Sequence, residues 1–188
     1  MSQIKSSQWL MFLAQLPASP SSARVTLWRR LRAAGAVGFM TGAWVLPLRD
    51  EHEQLFQHLA ETVRTQGGQA AVFIARGLDG GDAAVIERFR ADRAREYAEF
   101  EDRSLALLAE IEKERRLGKF TFAELEEIED DFQKLSAWLA KIEARDFFPA
   151  TERHAARTLL ATCQAAQAGF AEDVYAHEGL GALDETNP

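Results

Sequence analysis

Hydrophobic positions along the chain fall into two regimes. Up to about residue 80 they come in short runs separated by glycine, proline and polar breaks; beyond it they recur at a spacing near 3.5 residues. The first run, Gln8 to Leu16, ends at Pro17 and has the length of a strand. Ser19 followed by Pro20 predicts a helix start, with serine at the N-cap and proline at the first helical position. That helix is predicted to reach Ala34 and to stop at Gly35, a C′ glycine. Its expected apolar face is Leu27, Trp28, Leu31 and Ala34, with Arg29, Arg30 and Arg32 pointing away from it.

The next segment, Ala36 to Leu48, is broken at Thr41-Gly42 and reads as two short strands in a hairpin. Asp50 is expected to cap a second helix that carries Leu55, Leu59 and Val63 and stops at Gly67-Gly68. Gln69 to Arg76 is a fourth strand. The resulting order over residues 1–80, βαββαβ, predicts a ferredoxin-like α+β domain. The first strand is apolar on both alternating faces, with Trp9, Met11 and Leu13 opposite Leu10, Phe12 and Leu16. The fourth behaves likewise, with Val72 and Ile74 opposite Phe73. Two helices cover only one face of such a sheet. The other face is therefore expected to lie under the C-terminal helices or a second subunit, leaving Trp9, Phe12, Val72 and Phe73 all inaccessible.

Residues 81–178 predict a helical region of about three helices packed on this domain. Ile86, Phe89, Tyr97, Phe100, Leu107 or Leu108 and Ile111 mark one long helix closed by Gly118. Thr121 with Glu124 three residues on is a capping box, followed by a seam of Leu125, Ile128, Phe132, Leu135, Leu139 and Ile142. Pro149 opens a third helix that reaches about His177, and residues 179–188 are expected to fray.

Charge divides along the same line. The net charge of −7 is the sum of a basic first part, with eight Lys/Arg against five Asp/Glu in residues 1–80, and an acidic remainder. An anionic partner is expected to meet the first part. A lone cysteine, Cys163, excludes an internal disulfide and any multi-cysteine metal site, and its alanine and threonine neighbours suit a small buried residue. Lys5 and the run Trp9 to Leu16 imitate a signal peptide, but the run is short and Gln15 interrupts it, so a cytoplasmic protein is expected.

Enzyme chemistry finds no purchase. The acidic stretch Leu125 to Asp131 lacks the Glu-x-x-His pairs that a di-metal helical site needs, and it reads as a solvated helix face. Histidines 52, 58, 154 and 177 have no metal-ligand spacing, and the glycine-rich turn Ala75 to Gly81 lacks a phosphate-binding lysine. No metal, cofactor or membrane span is expected. What remains is Arg24, Arg29, Arg30 and Arg32 on one short helix. Guanidinium is permanently charged and donates in pairs, which suits phosphate. The group reads equally as a nucleic-acid footprint and as a solvated face favoured near its C-terminal end by the helix dipole.

These residues carry a resemblance. The strand ending in Gln15-Leu16-Pro17, Val25 with Trp28-Arg29-Arg30-Leu31, Gly35-Ala36-Val37 and Val45-Leu46-Pro47 resemble the N-terminal region of the chromate-resistance regulator ChrB family. The likeness spans most of residues 7 to about 175. It implies a chromate-responsive transcriptional regulator, encoded beside a chromate efflux transporter, that binds operator DNA. More distantly the region is similar to the central domain of the phenylacetate repressor PaaX and to ferredoxin-like CRISPR-associated nucleases. The nucleases' metal-binding aspartate at the end of the first strand corresponds here to Gln15, a neutral amide. The family's chains usually continue into a C-terminal domain implied in sensing chromate. This sequence ends at Pro188, so a chromate response is expected to need that missing domain. The ending suits a stand-alone member, a truncated chain or one half of a split regulator. A homodimeric, DNA-binding, non-enzymatic module is the first expectation. A dimerising protein-interaction module holding a partner on its acidic helices is the second.

Overall fold

The computed structural model describes residues 8–18 and 21–179. Lys5, the helix start expected at Ser19-Pro20 and the tail from residue 180 lie outside them. The described elements run β1 (Gln8–Gln15), α1 (Ser21–Ala33), β2 (Val37–Met40), β3 (Ala43–Pro47), α2 (Asp50–Thr65), β4 (Gln69–Arg76), α3 (Gly81–Leu117), α4 (Phe122–Ala144) and α5 (Thr151–His177). The fold is α+β: a four-stranded antiparallel sheet with two early helices, then three long ones. The chain divides into two compact units. One takes in the described residues up to Asp92 together with Arg145–Phe148; the other holds Arg93–Ala144 and the described residues from Pro149 onward.

In the first unit the strands lie in the order β2-β3-β1-β4. β1 pairs β3 from Trp9↔Pro47 to Leu13↔Ala43, and pairs β4 from Gln8↔Arg76 to Gln15↔Gln69. The glycines expected to end elements do so for a stated reason. At Gly35, φ is +78°, the Ala36 N–H reaches Leu31 O at 2.9 Å and the Gly35 N–H reaches Arg32 O at 3.0 Å. That is a Schellman ending, which a residue with a Cβ adopts only at a cost. Gly42, at φ +77°, makes the corresponding turn of the β2–β3 hairpin. Asp50, expected to cap α2, is instead its first residue. The N-cap is Arg49 in an extended conformation without a side-chain cap bond, and Asp50, Glu51 and Glu53 place negative charge in the first turn.

The sheet's two faces differ. Leu10 and Phe12 are buried on the helical side, where the Phe12 ring lies 5.2 Å from Phe56 of α2. On the other side Trp9 is buried beneath Phe89, stacked at 5.9 Å, and Phe148 at 5.8 Å. Its indole N–H donates to Asp82 Oδ1 at 2.7 Å, and the same oxygen accepts the Gly77 N–H at 2.7 Å. The opening turns of α3 and the returning Phe147-Phe148 thus cover one end of the second face. The rest departs from expectation. Phe73 is 51% exposed and Leu13, on the same face of the central strand, 37%, because this stretch lies beyond the cover of α3 and Phe147-Phe148; Val72, on the helical side of the edge strand, is only half-buried.

The second unit is a helical assembly with its own core. Tyr97, Phe100, Leu107 and Ile111 of α3 pack with Leu125, Ile128, Leu135, Leu139 and Ile142 of α4 and with Cys163, Phe170 and Val174 of α5. The Thr121 hydroxyl accepts the Glu124 N–H at 3.3 Å, the first half of the expected capping box. Cys163 is fully buried, its thiol 3.6 Å from Ser104 O. Burial pushes its pKa upward.

Candidate nucleic-acid interface on the arginine helix

All four candidate arginines lie on α1, but the structure treats them differently. At about 100° per residue, Leu27, Leu31 and Ala34 share the inward side of the helix. Leu31 is completely buried, and Leu27 and Ala34 are partly so. Trp28 belongs to neither: it is 54% exposed, and Val25 is exposed beside it. The expected apolar face was therefore one residue too wide. Arg24, Trp28 and Arg32, four residues apart in turn, make one outward stripe with the indole in the middle, and Arg29 flanks it.

Two of the arginines are tethered within the unit. Arg24 donates from Nη1 to the carbonyls of Pro17, at 3.1 Å, and Ala18, at 2.5 Å, tying the helix to the chain that enters it. Arg32 forms an ion pair with Asp92, Nη1 to Oδ2 2.6 Å, and the carboxylate is buried while the arginine is a third exposed. Arg32 O in turn accepts from Arg145 Nη1 at 3.4 Å. Arg29 and Arg30 are exposed, and no side-chain hydrogen bond or ion pair engages either among the described residues. Arg30 lies about 100° around the helix from Arg29, on the opposite flank from Arg24. The four therefore do not converge on one point. Arg24, Arg29 and Arg32 frame Trp28, and Arg30 extends the positive charge around the helix.

This arrangement can offer guanidinium to phosphate and a flat indole to a base or sugar, both sequence-tolerant contacts. Nothing in it resembles reacting machinery, and among the described residues no three His, Cys, Asp or Glu side chains are grouped to hold a metal ion. No described helix is long and apolar enough to cross a membrane.

A family model described as Protein ChrB, N-terminal, matches residues 24–180, most of the chain and the whole arginine stripe. The chain belongs to the ChrB N-terminal family. Protein ChrB of Cupriavidus metallidurans, strain CH34, is 33% identical over 92 residues, which is 49% of this chain and 28% of that protein. The match thus spans little more than a quarter of the relative's length. No solved structure matches the chain. Within the ChrB-family region, Trp28 is the residue of α1 that sequence reasoning misplaced. Its hydrophobicity assigned it to the apolar face, but at about 100° per residue it stands roughly 60° beyond Leu31, on the side away from Leu27 and Ala34, where α1 is open to solvent.

Proposed function

We propose that this chain is the DNA-contacting, non-enzymatic regulatory module of a chromate-resistance system. Family membership supports the regulatory setting, and one observation supports the DNA contact. An exposed tryptophan lies among four arginines on a helix that carries no acidic residue, in the basic first part of an otherwise acidic chain. Arginine-to-phosphate contacts fix the position and register of a protein on DNA, whereas sequence is read elsewhere, at base edges or through DNA shape. Arg24, Arg29, Arg30 and Arg32 are accordingly positioning residues, with Arg29 and Arg30 the pair not already engaged within the fold. The operator of the gene itself is the natural target. A chromate response belongs to the longer architecture of the family, whose matched relative extends well beyond the matched region.

The test is fluorescence anisotropy on duplex DNA from upstream of the gene, titrated over a range of salt. Affinity should fall steeply with log salt, as counterion release requires. Arg29→Gln with Arg30→Gln should weaken binding to specific and unrelated duplexes by a similar factor. The same double variant should flatten the salt slope by about 0.9 for each phosphate it no longer neutralises. Trp28→Ala should weaken binding with the slope unchanged. A folded double variant with wild-type affinity and slope returns α1 to a solvated face. Salt-insensitive capture of a protein in place of DNA supports the interaction-module reading.

A further inference from the structure

The outer edge of β4 has the features of a pairing site for a second copy of this chain. Sheet order leaves β2 and β4 at the edges, and they differ. β2 has four residues and an irregularity between Gly38 and Met40, both of which blunt an edge. β4 runs in unbroken register with β1 over eight residues, and between Gln69 and Arg76 it reads AAVFIA. It has no charge, proline or bulge there, the devices that usually keep an edge strand from pairing. Phe73 and Ile74, consecutive and so on opposite faces, are 51% and 61% exposed.

Helix α2 supplies the complementary charge. Glu53, Gln57, Ala60 and Arg64 form a stripe along it and, with Leu10, Val72, Phe73 and Ile74, line a cleft of about 370 Å³ at this edge. Gln57 donates to Glu53 at 3.0 Å, and Arg64 donates to Ala70 O at 2.9 Å, which holds its guanidinium beside the start of β4. Because a tight glycine turn joins α2 to β4, a two-fold axis that sets β4 antiparallel to its copy also sets α2 antiparallel to its own. In that arrangement the register that brings Glu53 opposite Arg64 also brings Gln57 opposite Ala60. The stripe is complementary to itself reversed, which is the requirement of an isologous interface.

We infer that two chains pair through antiparallel β4 edges into one eight-stranded sheet, with the α2 helices of the two copies exchanging Glu53–Arg64 ion pairs. Arginine has five donors, so the bond to Ala70 leaves others for a carboxylate. The inference does not depend on DNA binding by α1.

Sedimentation of the full chain over a concentration series tests it, with circular dichroism to confirm folding. The wild type should be a dimer. Ile74→Lys, at an exposed site, should weaken it by about tenfold or more. Glu53→Arg and Arg64→Glu should each do the same, because each leaves two like charges on the stripe. Mixing these two single variants should restore a dimer, since their stripes then carry opposite charge, and the doubly reversed variant should pair with itself. A wild type that stays monomeric throughout its soluble range overturns the proposal. So does a dimer that is indifferent to Ile74→Lys, and so does a charge-reversed mixture that fails to pair while both variants remain folded.

Discussion

Phe12 offers the sharpest test of which sheet face forms the core. Its side chain has no solvent exposure, and its ring meets Phe56 at a centroid distance of 5.2 Å. Phe12→Ala removes the ring from a site closed by β1's neighbours and α2, so the transfer cost and the cavity cost both apply. Their sum is about 3–5 kcal/mol, of which about 0.5–1.5 kcal/mol is the aromatic pair itself. Phe39 provides a control with identical chemistry. It is 45% exposed on β2, so truncation leaves no closed cavity and should cost about 1 kcal/mol. Hydrogen exchange of β1 and β3 amides reads the opening free energy of this unit directly. Protection there should drop by roughly two to three and a half orders of magnitude in Phe12→Ala, at about 1.4 kcal/mol per factor of ten. It should drop by less than about tenfold in Phe39→Ala. A double cycle with Phe56→Ala should recover a coupling of the size of the aromatic pair. Equal losses from Phe12 and Phe39, or no coupling to Phe56, would refute the assignment of the core face.

Four further outcomes follow from the same packing. Gly35→Ala should lower stability by about 2–4 kcal/mol in denaturant titration, because φ is +78° and an added Cβ would stand 2.8 Å from Arg145 Cβ. Asp82→Ala should cost about 2–3 kcal/mol by the same assay, since it strips both the Trp9 indole and the Gly77 N–H of their shared acceptor. Cys163 should resist a thiol reagent at mildly alkaline pH until the protein is unfolded. Its raised folded pKa means that the stability it contributes is complete below the unfolded thiol's pKa of about 8.5 and is lost as pH rises through the folded value. Glu143 has the opposite sign. The paired bonds from Arg157, at 2.6 and 2.9 Å, hold its pKa below the usual carboxylate range, so its contribution is present above about pH 4.3 and is lost as pH falls through the lowered value. Arg157→Lys, which lacks the fork, should bring the Glu143 pKa back toward the usual carboxylate range, a shift that a pH titration of the folded protein reads.

The order of elements was legible in the sequence because its determinants are local. Alternation marks a strand, a 3.6-residue recurrence marks a helix, and Gly35, Gly42 and Gly118 adopt the positive φ that their positions demand. The resemblance to the ChrB family was equally legible, since it rests on linear motifs around Trp28-Arg29-Arg30. What the sequence alone left open depends on partners that are distant in the chain. Arg32 looked like a free cation until folding set it beside Asp92, 60 residues away. Trp9 found cover from Phe89 and Phe148, residues that no local period links to β1. Trp28 turned outward because the inward arc of α1 was already filled by Leu27, Leu31 and Ala34. The same physics separates Phe12 from Phe73. Both are apolar residues in apolar strands, but Phe12 faces α2, whereas Phe73 pairs with Met11 on the opposite face, where Leu13 of the central strand is exposed too. Alternation fixes which residues share a face of a strand. Only the packed sheet decides whether anything lies against that face, because burial belongs to the neighbours and not to the residue.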